Sequence, residues 1–123
     1  MGLKWSIIAI SALMLSSSIA NAACLISPFR FYPAQNDSVL TTAAITDGSA
    51  CTLRFRSLST LVFDSASVVS RPSNGTLNKV GALEFVYRPK GGFRGSDKLS
   101  VKICGKGTSG AGCSTITYQI TIN

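Results

Sequence analysis

The feature that most constrains this chain is an alternation of apolar and polar residues along several short segments. Leu99, Val101 and Ile103 alternate with polar residues, and the same period of two returns between residues 115 and 122. A period of two puts successive side chains on opposite faces of a strand. The alternation therefore predicts antiparallel sheets with one packed face and one solvated face.

Turn signals divide the alternating segments at spacings typical of all-β domains. Gly and Asn tolerate positive φ and therefore mark turns. Such signals occur at Asp47-Gly48-Ser49, at Pro72-Ser73-Asn74-Gly75 and at the glycines around Phe93. No window beyond the amino terminus has helical periodicity. We predict an extended edge segment at 25–33 and strands at 39–45, 51–55, 61–69, 76–80, 82–88, 99–103 and 115–122. This pattern indicates an all-β sandwich or barrel.

Residues 1–22 have the organisation of a secretory signal peptide. Lys4 precedes an apolar run from Ile7 to Leu15, and Ala20-Asn21-Ala22 provides small residues for cleavage. The run is shorter than the roughly 20 apolar residues of a membrane span. The alternatives for this segment are an uncleaved anchor, a buried strand, or a lipid anchor attached to Cys24. Cleavage after Ala22 leaves one domain at 23–123, with no membrane span.

The composition of residues 23–123 excludes several kinds of chemistry. Lys4 belongs to the signal, so this part keeps 11 of the 12 basic residues and all 5 acidic ones, a net charge of +6. The chain contains no histidine, which removes the Ser-His-Asp arrangement and the common histidine-based hydrolase mechanisms. The domain is expected to be exported to the periplasm or the cell exterior.

Four cysteines in a short exported chain predict two disulfides. They are Cys24, Cys51, Cys104 and Cys113, and four cysteines allow three pairings that the sequence alone does not separate. Cys104 with Cys113 is favoured, because these residues flank a short glycine-rich loop and fit the base of a hairpin. That pairing leaves Cys24 with Cys51. A metal site is disfavoured, since there is no Cys-x-x-Cys pair and no histidine.

Three motifs occur in order within about a third of the chain. They are Pro72-Ser73-Asn74-Gly75-Thr76-Leu77, Phe85-Val86-Tyr87-Arg88-Pro89 and Gly92-Phe93-Arg94-Gly95-Ser96-Asp97. This block resembles the bacterial Ig-like, cadherin-like repeat of large surface proteins. The resemblance implies a single Ig-like antiparallel β-sandwich with no enzymatic activity. It also implies packing roles for Phe85, Tyr87 and Phe93 and turn roles for Gly75, Gly92 and Gly95.

The chain departs from the usual repeats because it is basic, single and stapled by cysteines. The Asp-rich calcium motifs of cadherins are missing from the sequence, so no calcium or other cofactor is predicted. Asp97 is expected to cap a turn, or to pair with Lys98 or Arg94, rather than to bind a metal.

Two sequence patterns could suggest an enzyme, and both have simpler interpretations. Residues 105–110 match G-x-G-x-x-G, but the dinucleotide motif must open a helix, whereas here a strand follows. We therefore predict a flexible hairpin loop. Asp64, Glu84 and Asp97 could support carboxylate chemistry, but nothing in their spacing pairs them.

Six basic residues crowd one region of the sequence and form the candidate binding face. They are Arg88, Lys90, Arg94, Lys98, Lys102 and Lys106. Such residues can be solvated charges that protect strand edges, or an electrostatic docking patch. Only Phe93 is interleaved with them, which gives little support to stacking on nucleic acid.

We therefore predict a small exported binding or adhesion module of the bacterial envelope, which interacts through strand edges or the basic face. Its expected partner is another envelope protein or an anionic envelope polymer. One alternative is a structural accessory subunit of an envelope assembly. A second alternative, of another class, is a secreted basic hydrolase or toxin.

Overall fold

The structure, a computed structural model, describes residues 23–123. The signal peptide predicted at residues 1–22 lies outside the described residues. The described part forms eight strands and a one-turn 3-10 helix at Pro33–Gln35. The strands are β1 (Ala23–Ile26), β2 (Ser38–Thr46), β3 (Cys51–Arg54), β4 (Leu61–Ser70), β5 (Gly75–Gly81), β6 (Glu84–Pro89), β7 (Gly95–Gly107) and β8 (Gly110–Ile122).

The strands form two sheets that enclose one core. The larger sheet has the order β1-β2-β8-β7-β4, and the smaller sheet has the order β3-β6-β5. A three-stranded sheet of this order facing β8-β7-β4 corresponds to the B-E-D and G-F-C strands of immunoglobulin sandwiches. The predicted all-β fold with two sheets is therefore confirmed, and its arrangement is that of a β-sandwich.

The core consists of the inward positions of the alternating strands. Leu99, Val101 and Ile103 of β7 are all fully buried, as the alternation predicted. The other buried apolar residues come from both sheets: Ala43, Ile45, Cys51, Leu53, Phe55, Ala66, Leu77, Phe85, Tyr87, Ile116, Tyr118, Ile120 and Ile122. Removing this apolar surface from water is the main favourable contribution to folding.

One strand pair differs from the predicted antiparallel arrangement. β2 pairs with β8 in parallel, with Val39 opposite Ile116 and Ile45 opposite Ile122, whereas the other strand pairs are antiparallel. Alternation specifies which face of a strand is buried but says nothing about the direction of a distant partner. The sequence pattern therefore could not predict that β2 and β8 pair in parallel.

The β7–β8 hairpin is much longer than predicted. The ladder continues beyond Cys104 and Cys113 to Gly107 opposite Gly110, so residues 105–107 and 110–112 are strand rather than flexible loop. Gly105 and Gly112 lie at positions of this extension where neighbouring backbone leaves no room for a side chain. A Cβ at Gly105 would collide with the carbonyl oxygen of Val62, and one at Gly112 with that of Pro33.

Both disulfides have the pairing that the sequence favoured. Cys24–Cys51 joins β1 of the larger sheet to β3 of the smaller sheet, with Cα atoms 5.4 Å apart. Cys104–Cys113 joins two directly opposite residues of the β7–β8 hairpin. Two disulfides indicate an oxidising, exported environment.

The segment between β1 and β2 was expected to be extended over residues 25–33, but it pairs with β2 only as far as Ile26. Beyond Ser27 it crosses one end of the sandwich, where Phe29 and Phe31 pack partly buried against the core. Asp37 fixes the end of this crossing, because its carboxylate accepts a hydrogen bond from the backbone N–H of Tyr32 at 3.0 Å and another from the Ser114 hydroxyl.

Candidate functional site

The structure places three of the six candidate basic residues in a row along one strand. Lys98, Lys102 and Lys106 all point away from the core on β7, the fourth strand of the larger sheet. Residues four apart on a strand are separated by about 13–14 Å, at a rise of about 3.4 Å per residue. We call these three residues the lysine strip.

The neighbours of the lysine strip are mostly uncharged. Lys98 lies opposite Gln119 of β8, and Lys102 lies between Thr115 of β8 and Ser67 of β4. Among residues 23–123, Arg54 and Glu84 form the ion pair that has an N–O distance below 4.0 Å. No lysine of the strip therefore has an acidic partner among these residues. The strip is thus a linear array of unneutralised charges.

The other three basic residues lie elsewhere. Arg88 is on the outer face of β6, in the smaller sheet. Lys90 and Arg94 belong to the β6–β7 loop, where they border a recess next to Asp47 and Asn123. The six residues therefore do not form a single face, because β6 and β7 belong to different sheets.

The buried carboxylate of Asp97 has a structural role. It accepts hydrogen bonds from the backbone N–H groups of Ser73 at 2.9 Å and Asn74 at 3.1 Å, and from the Tyr87 hydroxyl at 2.7 Å. The side chain is only 7% exposed. The expectation that Asp97 caps a turn is confirmed, and the turn is the β4–β5 connection.

This network connects residues of all three motifs. The first supplies the turn N–H groups, the second supplies Tyr87 and the third supplies Asp97. Gly75 completes the arrangement, since a Cβ there would lie 2.5 Å from the Arg88 carbonyl oxygen and 2.7 Å from the Tyr87 ring. Burial, reinforced by the hydrogen bond to Asp97, raises the pKa of the Tyr87 hydroxyl.

The remaining candidate carboxylates do not converge with Asp97. Glu84 lies on the smaller sheet and accepts two hydrogen bonds from Arg54, at 3.3 and 3.2 Å. This pairing raises the pKa of the Arg54 guanidinium. Asp64 is exposed on β4, at a bulge where the register shifts. Each acidic side chain thus faces a different environment.

An open groove at one end of the sandwich was missed by the sequence analysis. Its lining includes Phe29, Phe31 and Phe63, together with Arg30 and Arg56, and its volume is about 390 Å³. These residues come from the β1–β2 crossing, the β3–β4 loop and β4, so no single window of sequence reveals them. The signal in the sequence was the Phe29-Arg30-Phe31-Tyr32 stretch, which we interpreted as an edge strand.

Two further properties concern residues 23–123. No group of three or more His, Cys, Asp or Glu side chains is arranged there to hold a metal ion. The same residues contain no helix with the length and apolarity needed to cross a membrane.

Comparisons with known proteins add no assignment. No protein-family model matches the sequence, and no curated protein matches it either. The resemblance to bacterial Ig-like repeats therefore remains a prediction from the three motifs.

Proposed function

We propose that the chain is a small exported binding module of the bacterial envelope that docks on an anionic envelope polymer through the lysine strip. It acts by binding rather than by catalysis. Its rigid, disulfide-linked sandwich holds the strip in a fixed line, so that little conformational entropy is lost when the polymer binds.

The observation that carries this proposal is the arrangement of Lys98, Lys102 and Lys106. Three ammonium groups that have no acidic partner among residues 23–123 extend over about 27 Å, taking eight residues at about 3.4 Å each. A row of this length matches repeated charges on a linear polyanion better than a single small anion. Like charges held in a row also raise the local concentration of an anionic partner.

The strip is a better docking surface than the strand edges that were the other predicted route. β1 and β3 are four residues long and joined by the Cys24–Cys51 bond. β4 has two register shifts, and the ammonium group of Lys79 on β5 donates to the carbonyl oxygen of Ala66 at 2.8 Å. Short strands, bulges and edge lysines are common devices against edge pairing.

The separation of the carboxylates supports binding over catalysis. Asp97 is engaged by the β4–β5 turn, and Glu84 is engaged by Arg54. Acid–base catalysis needs titratable groups within hydrogen-bond reach of one reacting centre. The arrangement of these groups provides no such pair.

The proposal is tested by co-sedimentation with phosphate-bearing lipopolysaccharide, with a neutral glucan as the reference polymer. The wild-type protein is expected to sediment with the lipopolysaccharide and not with the glucan. Reversal of the strip charges in K98E/K102E/K106E should reduce binding at least tenfold.

The matched control is R88E/K90E/R94E, which changes the net charge by the same amount at the other three candidate positions. Binding by this control should stay within about twofold to threefold of wild type. Equal losses in both triple variants would mean that net charge matters and the strip does not. Capture of an envelope protein that is unaffected by either triple variant, without polymer binding, would favour the accessory-subunit alternative.

A further inference from the structure

We infer that the end groove is a second docking site, separate from the lysine strip, for an acidic peptide segment that inserts one aromatic or large aliphatic side chain. The groove lies between the β1–β2 crossing, the β3–β4 loop and the start of β4. The inference rests on the chemistry of its floor and rim and does not depend on polymer binding by the strip.

The floor of the groove is an aromatic cluster. The ring of Phe31 stacks on Phe63 with centroids 5.2 Å apart and meets the edge of Phe55 at 5.8 Å. Phe31 also lies 6.0 Å from Phe29. Phe29, Phe31 and Phe63 are only partly buried, so apolar ring surface borders the opening. Apolar surface that remains exposed in a concave site favours an apolar ligand group.

The rim of the groove is cationic. Arg30, Arg54 and Arg56 all line it, and none of the lining residues that the structure describes is acidic. Arg54 is bound by Glu84, whereas Arg30 and Arg56 form no ion pair with any residue that the structure describes. Arginine binds carboxylates through paired N–H donors and is enriched at binding hot spots beside aromatic residues.

The groove is at the end of the sandwich where several connections meet. Its wall includes Leu58, which is 63% exposed, and the neighbouring recess reaches Thr108 and Ser109 of the β7–β8 turn. Ala23 and Asn123 lie at the opposite end, beside Thr46 and Ile45. The loops that carry recognition in variable immunoglobulin domains cluster at one end in the same way.

Charge complementarity selects an acidic peptide over the other occupants. A second copy of this chain would bring a net positive surface, since basic residues outnumber acidic ones by 11 to 5 in residues 23–123. A polymer of sugars and phosphates would leave the phenylalanine floor without apolar contact. A peptide with glutamates around one phenylalanine satisfies both the rim and the floor.

The test is fluorescence anisotropy with a labelled synthetic peptide that has a central phenylalanine flanked by two glutamates on each side. Two reference peptides carry serine in place of the phenylalanine, or lysines in place of the glutamates. The first peptide should bind at least tenfold more tightly than either reference. R56E and L58D should each weaken its binding at least tenfold, while R88E, the matched charge reversal on β6, should change it less than twofold.

A second variant separates a binding role from a structural one. E84Q removes the carboxylate that holds Arg54 and should tighten binding of the acidic peptide by about twofold to fivefold. An exposed ion pair contributes only about 0–1 kcal/mol, so the fold should tolerate this change. Structural damage to the groove would weaken binding of the acidic peptide, whereas release of Arg54 from Glu84 would tighten it.

Several outcomes would overturn the inference. Equal binding of the three peptides, or R56E binding like wild type, would remove the groove as the site. Loss of peptide binding in K98E/K102E/K106E with retention in R56E would assign the peptide to the lysine strip. Sedimentation equilibrium that shows self-association abolished by L58D would assign the groove to a second copy of the chain.

Discussion

The two faces of β7 differ in how their polar groups are paired, and the adjacent residues Asp97 and Lys98 show the difference. Asp97 points inward, is 7% exposed and accepts hydrogen bonds from four other residues, one of them the backbone N–H of Lys98. Lys98, the next residue, points outward and has no ion-pair partner among residues 23–123. Polar groups that the protein satisfies internally stabilise the fold, whereas those left unpaired in a fixed array are available to a partner.

The largest expected effect is at the inner face. D97A should destabilise the domain by about 4 kcal/mol, because each buried donor left unpaired costs about 1–3 kcal/mol. Urea unfolding monitored by far-UV circular dichroism measures this change. D64A, which removes an exposed carboxylate from β4, should change stability by no more than about 0.5 kcal/mol. Equal effects of the two substitutions would break the contrast between the inner carboxylate and exposed ones.

The two disulfides extend the comparison, because Cys24–Cys51 joins the sheets whereas Cys104–Cys113 lies on the outer side of β7. The residues are 27 positions apart in the first pair and 9 apart in the second. The loop-entropy relation then gives losses of about 3.5 kcal/mol for C24S/C51S and about 2.5 kcal/mol for C104S/C113S. Unfolding midpoints in the reverse order would show that loop length does not determine the difference.

A substitution at Gly75, next to the Asp97 network, tests the inner face through packing, without removing a hydrogen-bonding group. G75A should cost about 2 kcal/mol, because its Cβ meets the Arg88 carbonyl and the Tyr87 ring, and overpacking typically costs about 1–3 kcal/mol. G91A is the matched control, since nothing lies within 4 Å of a Cβ at that position. Thermal unfolding of both variants measures the difference, and similar melting temperatures would contradict the account.

The smallest expected effect is in alkaline solution. The folded pKa of Tyr87 is raised from its unfolded value of 10.0, so above pH 10 the unfolded state loses this proton first. Stability should therefore fall as pH rises above 10, by at most about 1.4 kcal/mol per pH unit for each such tyrosine. Buried Tyr118, whose pKa is raised by desolvation, should contribute in the same direction.

Urea unfolding between pH 9 and pH 11 measures this alkaline loss. Y87F should lose less stability per pH unit than wild type, because it lacks the hydroxyl whose pKa is raised. A wild-type slope in Y87F would show that the buried hydroxyl does not cause the loss.

Much of the fold could be predicted from local patterns. Alternation located β7 and its buried face, and the turn signals located the β4–β5 and β6–β7 connections. The position of Cys104 and Cys113 around a glycine-rich segment favoured the correct disulfide pairing. These features depend on residues close together in sequence, where period and turn chemistry are informative.

Other features depend on distant residues and could not be predicted in this way. The parallel β2–β8 pair joins segments more than 70 residues apart. The groove assembles Phe31, Phe55 and Phe63 from three separate elements. The candidate basic face was divided because β6 and β7 follow each other in sequence but belong to different sheets.

The most direct test of the lysine strip is the salt dependence of binding to polyphosphate, a linear polyanion. Three phosphate contacts, at the slope of about −0.9 per contact known for DNA, predict an affinity loss of about 40-fold between 50 and 200 mM salt. K102Q should lower this slope by about one, while keeping the wild-type unfolding midpoint. An unchanged slope in K98Q/K102Q/K106Q would contradict the claim that the outer face of β7 binds the polymer.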